Sequence, residues 1–369
     1  MNLLELNLSP DYGGLEMHTR DFSRWLMTQA DCHLYLVLQK DTRLDKALDE
    51  LQVKSLRFTG KAGKLPFSMA RELAHFIDKE QIDVVHVHWK NDLPLAALTK
   101  RLCKRSFKLV HTRQMNMPGK KKGLYHRYIY TSLDLFIAIT DYLKQQAEEN
   151  LPISGDKIRR IYYGVGLPDN VTPQRTMELK ETFGIKEGFH VGLFGRIDEY
   201  KGQHLLVDAV EQLAHKGHSI HAWIIGDAFD PVYTEHLKQS VKDRGLENHV
   251  HFPGFYEKPI ELMTCFDAVV LTTVNETFGL VLIEAMHAGV AVIGSNAGGV
   301  PEIIEHEQTG LLFESLNVND LADQLQRLIE DDEFRRTLAR AGQAKARETF
   351  DLQTQFAKFY EALMKICEM

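Results

Sequence analysis

One rhythm narrows the fold more than any other feature: short apolar runs, each followed by an amphipathic stretch, recur along most of the chain. Residues 2–8, 34–38, 84–87, 108–112 and 135–139 read as strands, and stretches such as 93–104 and 141–150 read as helices. The rhythm restarts at 190–194, 221–225, 250–252, 268–272 and 291–294, and beyond Val318 the pattern is helical to the end. Runs this apolar suit strands covered on both faces, and strand–helix alternation builds parallel sheets because the helix supplies the crossover. Two series predict two Rossmann-like domains. Turn residues and lost periodicity at 164–173 put the boundary there, giving a first domain of 1–168 and a second of 169–351. The tail, 352–369, is expected to pack back on the first domain. Ligands of open parallel sheets sit at the carboxyl ends of the strands, so two facing sheets would place a cleft between the domains, lined by loops of both.

The net charge of -7 conceals a split. Residues 1–168 hold 26 Lys and Arg against 19 Asp and Glu, and the remainder holds 18 against 32. Opposite signs in two halves fit different partners, or two solvated surfaces that have drifted apart. The basic excess is densest from Lys100 to Arg127, with ten cations and no acid, among Phe107, Tyr125 and nearby Tyr128. That mixture suits an anionic lipid surface or a phosphate-bearing glycan, with nucleic acid or a merely solvated face as rivals. The reading carried forward is peripheral contact with an anionic membrane, and no nucleic-acid partner.

Cys32, Cys103, Cys265 and Cys367 are far apart and form no C-x-x-C pair, which argues against a thiolate metal site and a disulfide framework. Met1-Asn2-Leu3-Leu4-Glu5 has no basic segment before an apolar stretch, so no signal peptide is expected. The longest apolar segment, 279–294, is interrupted by Glu284 and His287, so no membrane span is expected. A cytoplasmic location follows as the expectation.

Chemistry concentrates in three strings. After the run at 268–272 comes Asn275-Glu276-Thr277-Phe278-Gly279-Leu280-Val281-Leu282-Ile283-Glu284-Ala285-Met286, which opens a helix near Gly279. A helix N-terminus offers free N–H groups and partial positive charge, and a glycine there lets an anion or sugar approach the backbone. A lone glutamate at that place is equally well a complement to the helix dipole; the whole string asks for more. After the run at 190–194 comes Gly195-Arg196-Ile197-Asp198-Glu199-Tyr200-Lys201-Gly202. A guanidinium and an ammonium at a strand end can stabilise charge that grows on a departing diphosphate. After the first strand, Gly13-Gly14-Leu15-Glu16-Met17-His18 is a strand-to-helix turn whose glycines would present N–H groups, or simply a tight turn.

These strings resemble a known family. Glu276 and Glu284 around Phe278-Gly279-Leu280, followed by Gly289-Val290-Ala291-Val292-Ile293, Gly298-Gly299-Val300-Pro301-Glu302 and Gly310-Leu311-Leu312-Phe313, look like the signature of retaining GT-B glycosyltransferases, glycosyltransferase family four. The resemblance implies a GT-B fold with an acceptor-binding first domain and a nucleotide-sugar-binding second domain. It implies a UDP- or GDP-linked sugar as substrate, no cofactor and no metal, and a glycan or lipid-linked acceptor, with bacterial polysaccharide or lipopolysaccharide assembly as the setting. By it, Glu276, Phe278 and Gly279 would hold the donor sugar. Arg196, Lys201, Gly14, Gly279 and Leu280 would hold the diphosphate, and Glu284 would accept both ribose hydroxyls. Gly13 and Gly14 would form the acceptor loop, and His111 would touch the sugar, with Glu276 and His111 the catalytic pair.

Two departures stand out. Tyr163-Gly164-Val165-Gly166 occupies the place of an Asn-Gly-Val-Asp string, and Gly226-Asp227-Ala228-Phe229 stands where a second glycine is common. No Asp-x-Asp pair of the metal-dependent GT-A type is present. Gly164-Val165-Gly166 starts like a dinucleotide fingerprint but lacks the third glycine and meets Pro168. His86 and His88 share one face of their strand; a metal site would need a third ligand, which the sequence does not reveal, so they read as structural or cleft-lining. The rival functions are a nucleotide-sugar epimerase of the same fold and a non-catalytic glycan-binding protein.

Overall fold

The computed structural model describes residues 1–60, 66–166 and 171–368. It divides into two compact units, Met1–Tyr163 with Gln353–Met369, and Gly164–Leu352. The boundary expected between 168 and 169 lies outside the described residues; the contacts part five residues earlier.

The first unit is built on seven strands: β1 (Asn2–Asn7), β2 (His33–Gln39), β3 (Ser55–Phe58), β4 (Val84–Val87), β5 (Lys108–Arg113), β6 (Leu135–Ala138) and β7 (Ile158–Arg160). They lie in the order β3-β2-β1-β4-β5-β6-β7, all parallel. The second unit has β8 (Phe189–Phe194), β9 (Ile220–Ile225), β10 (Val250–Gly254), β11 (Ala268–Leu271), β12 (Ala291–Ser295) and β13 (Leu311–Phe313), in the order β10-β9-β8-β11-β12-β13 and again parallel. Two Rossmann-like units are the result. Helices cover the sheets, so a central strand such as β4 or β8 is buried along its whole length, which is why each reads as a mostly apolar run, broken by one histidine.

Side chains at the helix starts satisfy the free N–H groups there. Thr140 accepts from Leu143 N, Asp230 from Val232 N and Tyr233 N, and Asn317 from Asp320 N. Helix Val318–Glu330 buries Leu321, Ala322, Leu325 and Leu328, one stripe at helical spacing, in a core shared with Val191, Leu193, Ile224, Val270 and Ile293. The tail helix Leu352–Glu368 buries Phe356 and Phe359. Their rings lie 5.2 and 5.8 Å from that of Phe22 on helix Gly14–Leu26, so this last helix completes the core of the first unit.

Both sheets reverse direction of growth at one place: between β1 and β4 in the first, and between β8 and β11 in the second. Such a switch point leaves a crevice at the carboxyl ends of the two strands, where open parallel sheets bind ligands. Among the described residues, no helix is long and apolar enough to cross a membrane.

Candidate active site

In the second unit the loops that leave β8 and β11 meet at the switch point. Thr272, just past β11, donates its hydroxyl to the Lys201 carbonyl at 2.7 Å, and Gln203 donates to the Arg196 carbonyl at 2.9 Å. The second bond folds the loop after β8 on itself, and the first ties it to the string after β11, bringing Lys201 and Glu276, 75 residues apart, into one frame. Within it Lys201 Nζ donates to Glu276 Oε2 at 3.1 Å, while Glu276 Oε1 accepts from Thr277 N at 3.1 Å. Both side chains keep solvent access, 27% for Lys201 and 17% for Glu276.

The Glu276 backbone is clamped from the far side. Gly299 N donates to the Glu276 carbonyl at 2.9 Å. Gly298 adopts φ +61, and a Cβ there would lie 1.9 Å from the same carbonyl oxygen, so only glycine fits. Helix Leu280–His287 then opens at Gly279. Phe278 is a core residue, 3% exposed, with its ring edge-on to Phe350. Any role at the site therefore falls to its backbone.

Arg196 is exposed and holds its guanidinium 4.2 Å over the ring of Phe229. The departure at 226–229 thus gives the arginine an aromatic platform. Gly226 sits so close under Gly195 that a Cβ would fall 1.9 Å from the Gly195 carbonyl oxygen, which fixes the start of the Arg196 loop.

Glu284 lies in the fifth position of helix Leu280–His287, partly exposed, and makes no ion pair or side-chain hydrogen bond among the described residues. Burial of its carboxyl, unrelieved by any cation, pushes it up to about 7. An unpaired carboxylate beside a helix mouth is free to accept a diol.

The remaining expected residues belong to the first unit. Gly13 caps helix Gly14–Leu26, but its N–H is already taken, donating to Glu16 Oε2 at 2.8 Å. This corrects the expectation that both glycines present free N–H groups: the Glu16 side chain reaches back in a capping box, and the open donors begin at Gly14. His111 is buried near the end of β5, 1% exposed. Its Nδ1 donates to the Val87 carbonyl at 2.8 Å, which leaves Nε2 as a buried lone pair without a partner among the described residues. Burial, with Arg113 close by, holds this imidazole well below the usual histidine range, hence neutral.

His86 and His88 find the third group that the sequence did not reveal. Glu5, a single acid inside apolar β1, stands opposite His86 in the register and is fully buried. His86 Nδ1 donates to Glu5 Oε1 at 3.0 Å, and His88 Nε2 bonds Glu5 Oε2. Burial opposes the charge on Glu5, but the two histidines outweigh it and hold the carboxyl down at about 2. The three donor atoms lie within 4.8 Å of one another, close enough to share a cation, though each is already satisfied by another of the three. The available signal was an acid in the middle of an otherwise apolar first strand.

Two family models match the chain: Glycosyltransferase Family 4 over residues 12–167, and Glycosyl transferases group 1 over residues 177–345. Among curated proteins, the N-acetyl-alpha-D-glucosaminyl L-malate synthase of Bacillus anthracis is 28% identical over 77% of this chain and 74% of its own length. Among solved structures, a glycosyltransferase of Rickettsia africae ESF-5 aligns with a TM-score of 0.91 over 99% of this chain and 98% of its own, at 22% identity, a likeness of fold. Anabaena Alr3699/HepE in complex with UDP aligns with a TM-score of 0.88 at 26% identity over 99% of this chain and all of its own; its UDP-glucose complex aligns at 0.83.

Proposed function

This chain belongs to glycosyltransferase family 4, the glycosyl transferases group 1, with the fold of GT-B enzymes, and from that premise we propose that it transfers a sugar from a UDP-linked donor to a glycan or lipid-linked acceptor with retention of anomeric configuration. A GDP-linked donor is the second choice. The observation that carries the reading is the Lys201–Glu276 pair at the β8/β11 switch point, beside a helix that opens at Gly279. The Anabaena relative, solved with UDP and with UDP-glucose, supports a nucleotide sugar and puts uridine first.

In this reading the diphosphate takes Arg196, Lys201 and the N–H groups of Gly279 and Leu280. Charge grows on the diphosphate as the glycosidic bond breaks, so these groups bind the transition state more strongly than the ground state. The cations and the helix end do this without a metal. Glu276 accepts hydroxyls of the donor sugar, along with the Phe278 and Gly279 amides, and its negative charge favours the positive character that the ring acquires. Glu284 accepts both ribose hydroxyls. His111 offers Nε2 to a sugar hydroxyl, and Gly13 and Gly14 shape the acceptor loop. The setting is bacterial cell-surface polysaccharide or lipopolysaccharide assembly, with exposed cations of the basic stretch 100–127, such as Lys120 and Lys122, resting on an anionic membrane face.

Calorimetry against UDP and GDP, followed by a nucleotide-sugar screen with the product anomer read by NMR, tests the proposal. UDP binding and a product of unchanged anomeric configuration are expected. Binding of neither nucleotide overturns the donor reading, and an inverted product overturns retention.

A further inference from the structure

At the carboxyl edge of the first sheet the chain collects positive charge that no carboxylate among the described residues pairs with. β4 and β5 are neighbours, paired with Val87 opposite His111, so the residues that follow them share one edge of the sheet. Lys90 opens the turn after β4, and Arg113 is the last residue of β5. Arg113 is 3% exposed, yet it has no carboxylate partner among the described residues. Among the described residues its guanidinium donates only to the carbonyls of Met115 and Asn116, at 2.6 and 2.7 Å. Buried arginines are almost always paired, because an uncompensated charge out of water is costly.

The surroundings repeat the pattern. Gln114, the next residue, is 9% exposed and carries a buried side-chain nitrogen without a partner among the described residues. Lys121, on the following loop, is held in place by its backbone N–H, which donates to the Asn150 carbonyl at 2.8 Å; its ammonium has no ion pair among the described residues. Neither has that of Lys90. Burial and the nearby Arg113 charge push Lys90 below the usual lysine range, and burial, Arg113 and Lys90 do the same to Lys121. The three cations thus feel one another; the Tyr130 phenol acts on Arg113, but no carboxylate is among the groups that act on the three. A site that loses free energy by crowding cations recovers it when an anion arrives.

We propose that Lys90, Arg113, Gln114 and Lys121 form an anion subsite that takes a phosphate group carried by the acceptor. It rests on the glycosyltransferase reading for the word acceptor. Two partly exposed ammonium groups and a desolvated guanidinium suit a dianion better than a single carboxylate, and the Gln114 amide adds a neutral donor to a phosphate oxygen. The position fits as well, at the strand ends flanking the β1/β4 switch point, where this unit is built to hold a ligand. The acceptor class is then a phosphorylated glycan or a phosphate-linked lipid.

The test first saturates the full chain with UDP, so that the diphosphate groups of the second unit are occupied, and then titrates inorganic phosphate and glycerol 3-phosphate by calorimetry. UDP affinity, measured beforehand, judges the donor reading separately; if UDP does not bind, the phosphate titration is still read through the variants below. Lys90→Gln with Lys121→Gln should weaken phosphate by about tenfold or more, the loss expected for charge-assisted hydrogen bonds. Lys242→Gln, an exposed cation of the second unit, should leave it unchanged. Arg113→Gln is not used alone because that side chain is buried; the two lysines are accessible and carry the test. A second arm measures flotation with phosphatidylcholine vesicles with and without phosphatidic acid. Glycerol 3-phosphate that competes with phosphatidic acid and is weakened by the lysine changes supports the subsite for either source. Absence of saturable phosphate binding, or phosphate binding indifferent to the lysine changes, overturns it. So does a double variant that loses only vesicle binding, since the lysines would then serve a membrane surface and not a bound phosphate.

Discussion

Glu284 sets a pH dependence that can be worked out from its surroundings. Its carboxyl is raised to about 7, so the neutral form accumulates as pH falls through that value. In its proposed role at the ribose, the carboxylate accepts both hydroxyls more strongly than the neutral acid, one of whose oxygens donates, so UDP affinity should rise between pH 6 and pH 8, by up to about tenfold per unit below the pKa. Calorimetry at pH 6, 7 and 8 checks this, and in Glu284→Gln the slope should flatten. At pH 8 the same variant should bind UDP about ten- to a hundredfold more weakly, the effect of losing a charge-assisted bond of roughly 1.5–3 kcal/mol. Glu276→Gln should behave differently. Glu276 is already paired with Lys201 at 3.1 Å, so losing its charge frees an ammonium for the diphosphate. UDP affinity should hold or tighten while turnover falls by about a hundredfold, since the lost interaction belongs to the transition state. Weaker UDP binding by Glu276→Gln alongside an unaffected Glu284→Gln would mean that the two roles are reversed.

At the scale of elements, the site depends on how closely loops approach strands. Gly298→Ala should displace the Glu276 segment, because its Cβ would meet the Glu276 carbonyl oxygen at 1.9 Å and φ is +61. Strain of about 1–2 kcal/mol from the left-handed backbone adds to the clash. Thermal melting of Gly298→Ala should show a modest loss, and steady-state kinetics a much larger one. Equal turnover to wild type would remove the clamp from the argument. The same scale explains which elements were legible. Central strands β1, β4, β5, β8 and β11 announce themselves, because a parallel strand covered on both faces has almost only apolar residues. Of the four edge strands, β10 was legible and β3, β7 and β13 escaped: Ser55–Phe58 and Ile158–Arg160 carry arginines, and Leu311–Phe313 is three residues long. Half-solvated edges need no apolar run, so periodicity alone misses them.

For the whole molecule, the first unit is discontinuous. It takes its last helix from the far end of the chain, and Phe356 and Phe359 are 1% and 0% exposed there. Phe356→Ala should destabilise the first unit by roughly 3–5 kcal/mol, the usual result of emptying an aromatic core position. Hydrogen exchange should show the loss spread over β1 and helix Gly14–Leu26 while β8, β9 and β11 keep their protection. A uniform loss across both sheets would contradict independent cores. The sequence by itself determined the two parallel-sheet units and picked out the strings that meet at the β8/β11 switch point, because strand–helix alternation and a glycine-opened helix are local properties. Tertiary structure alone decided which distant residues meet. Glu5 joins His86 across 81 positions because β1 and β4 are neighbours in the sheet, and Lys201 meets Glu276 because β8 lies beside β11. Arg113 ends a strand like any other in the sequence; that it is buried there without an acid is a fact about what packs around it, and no local pattern encodes the absence of a partner.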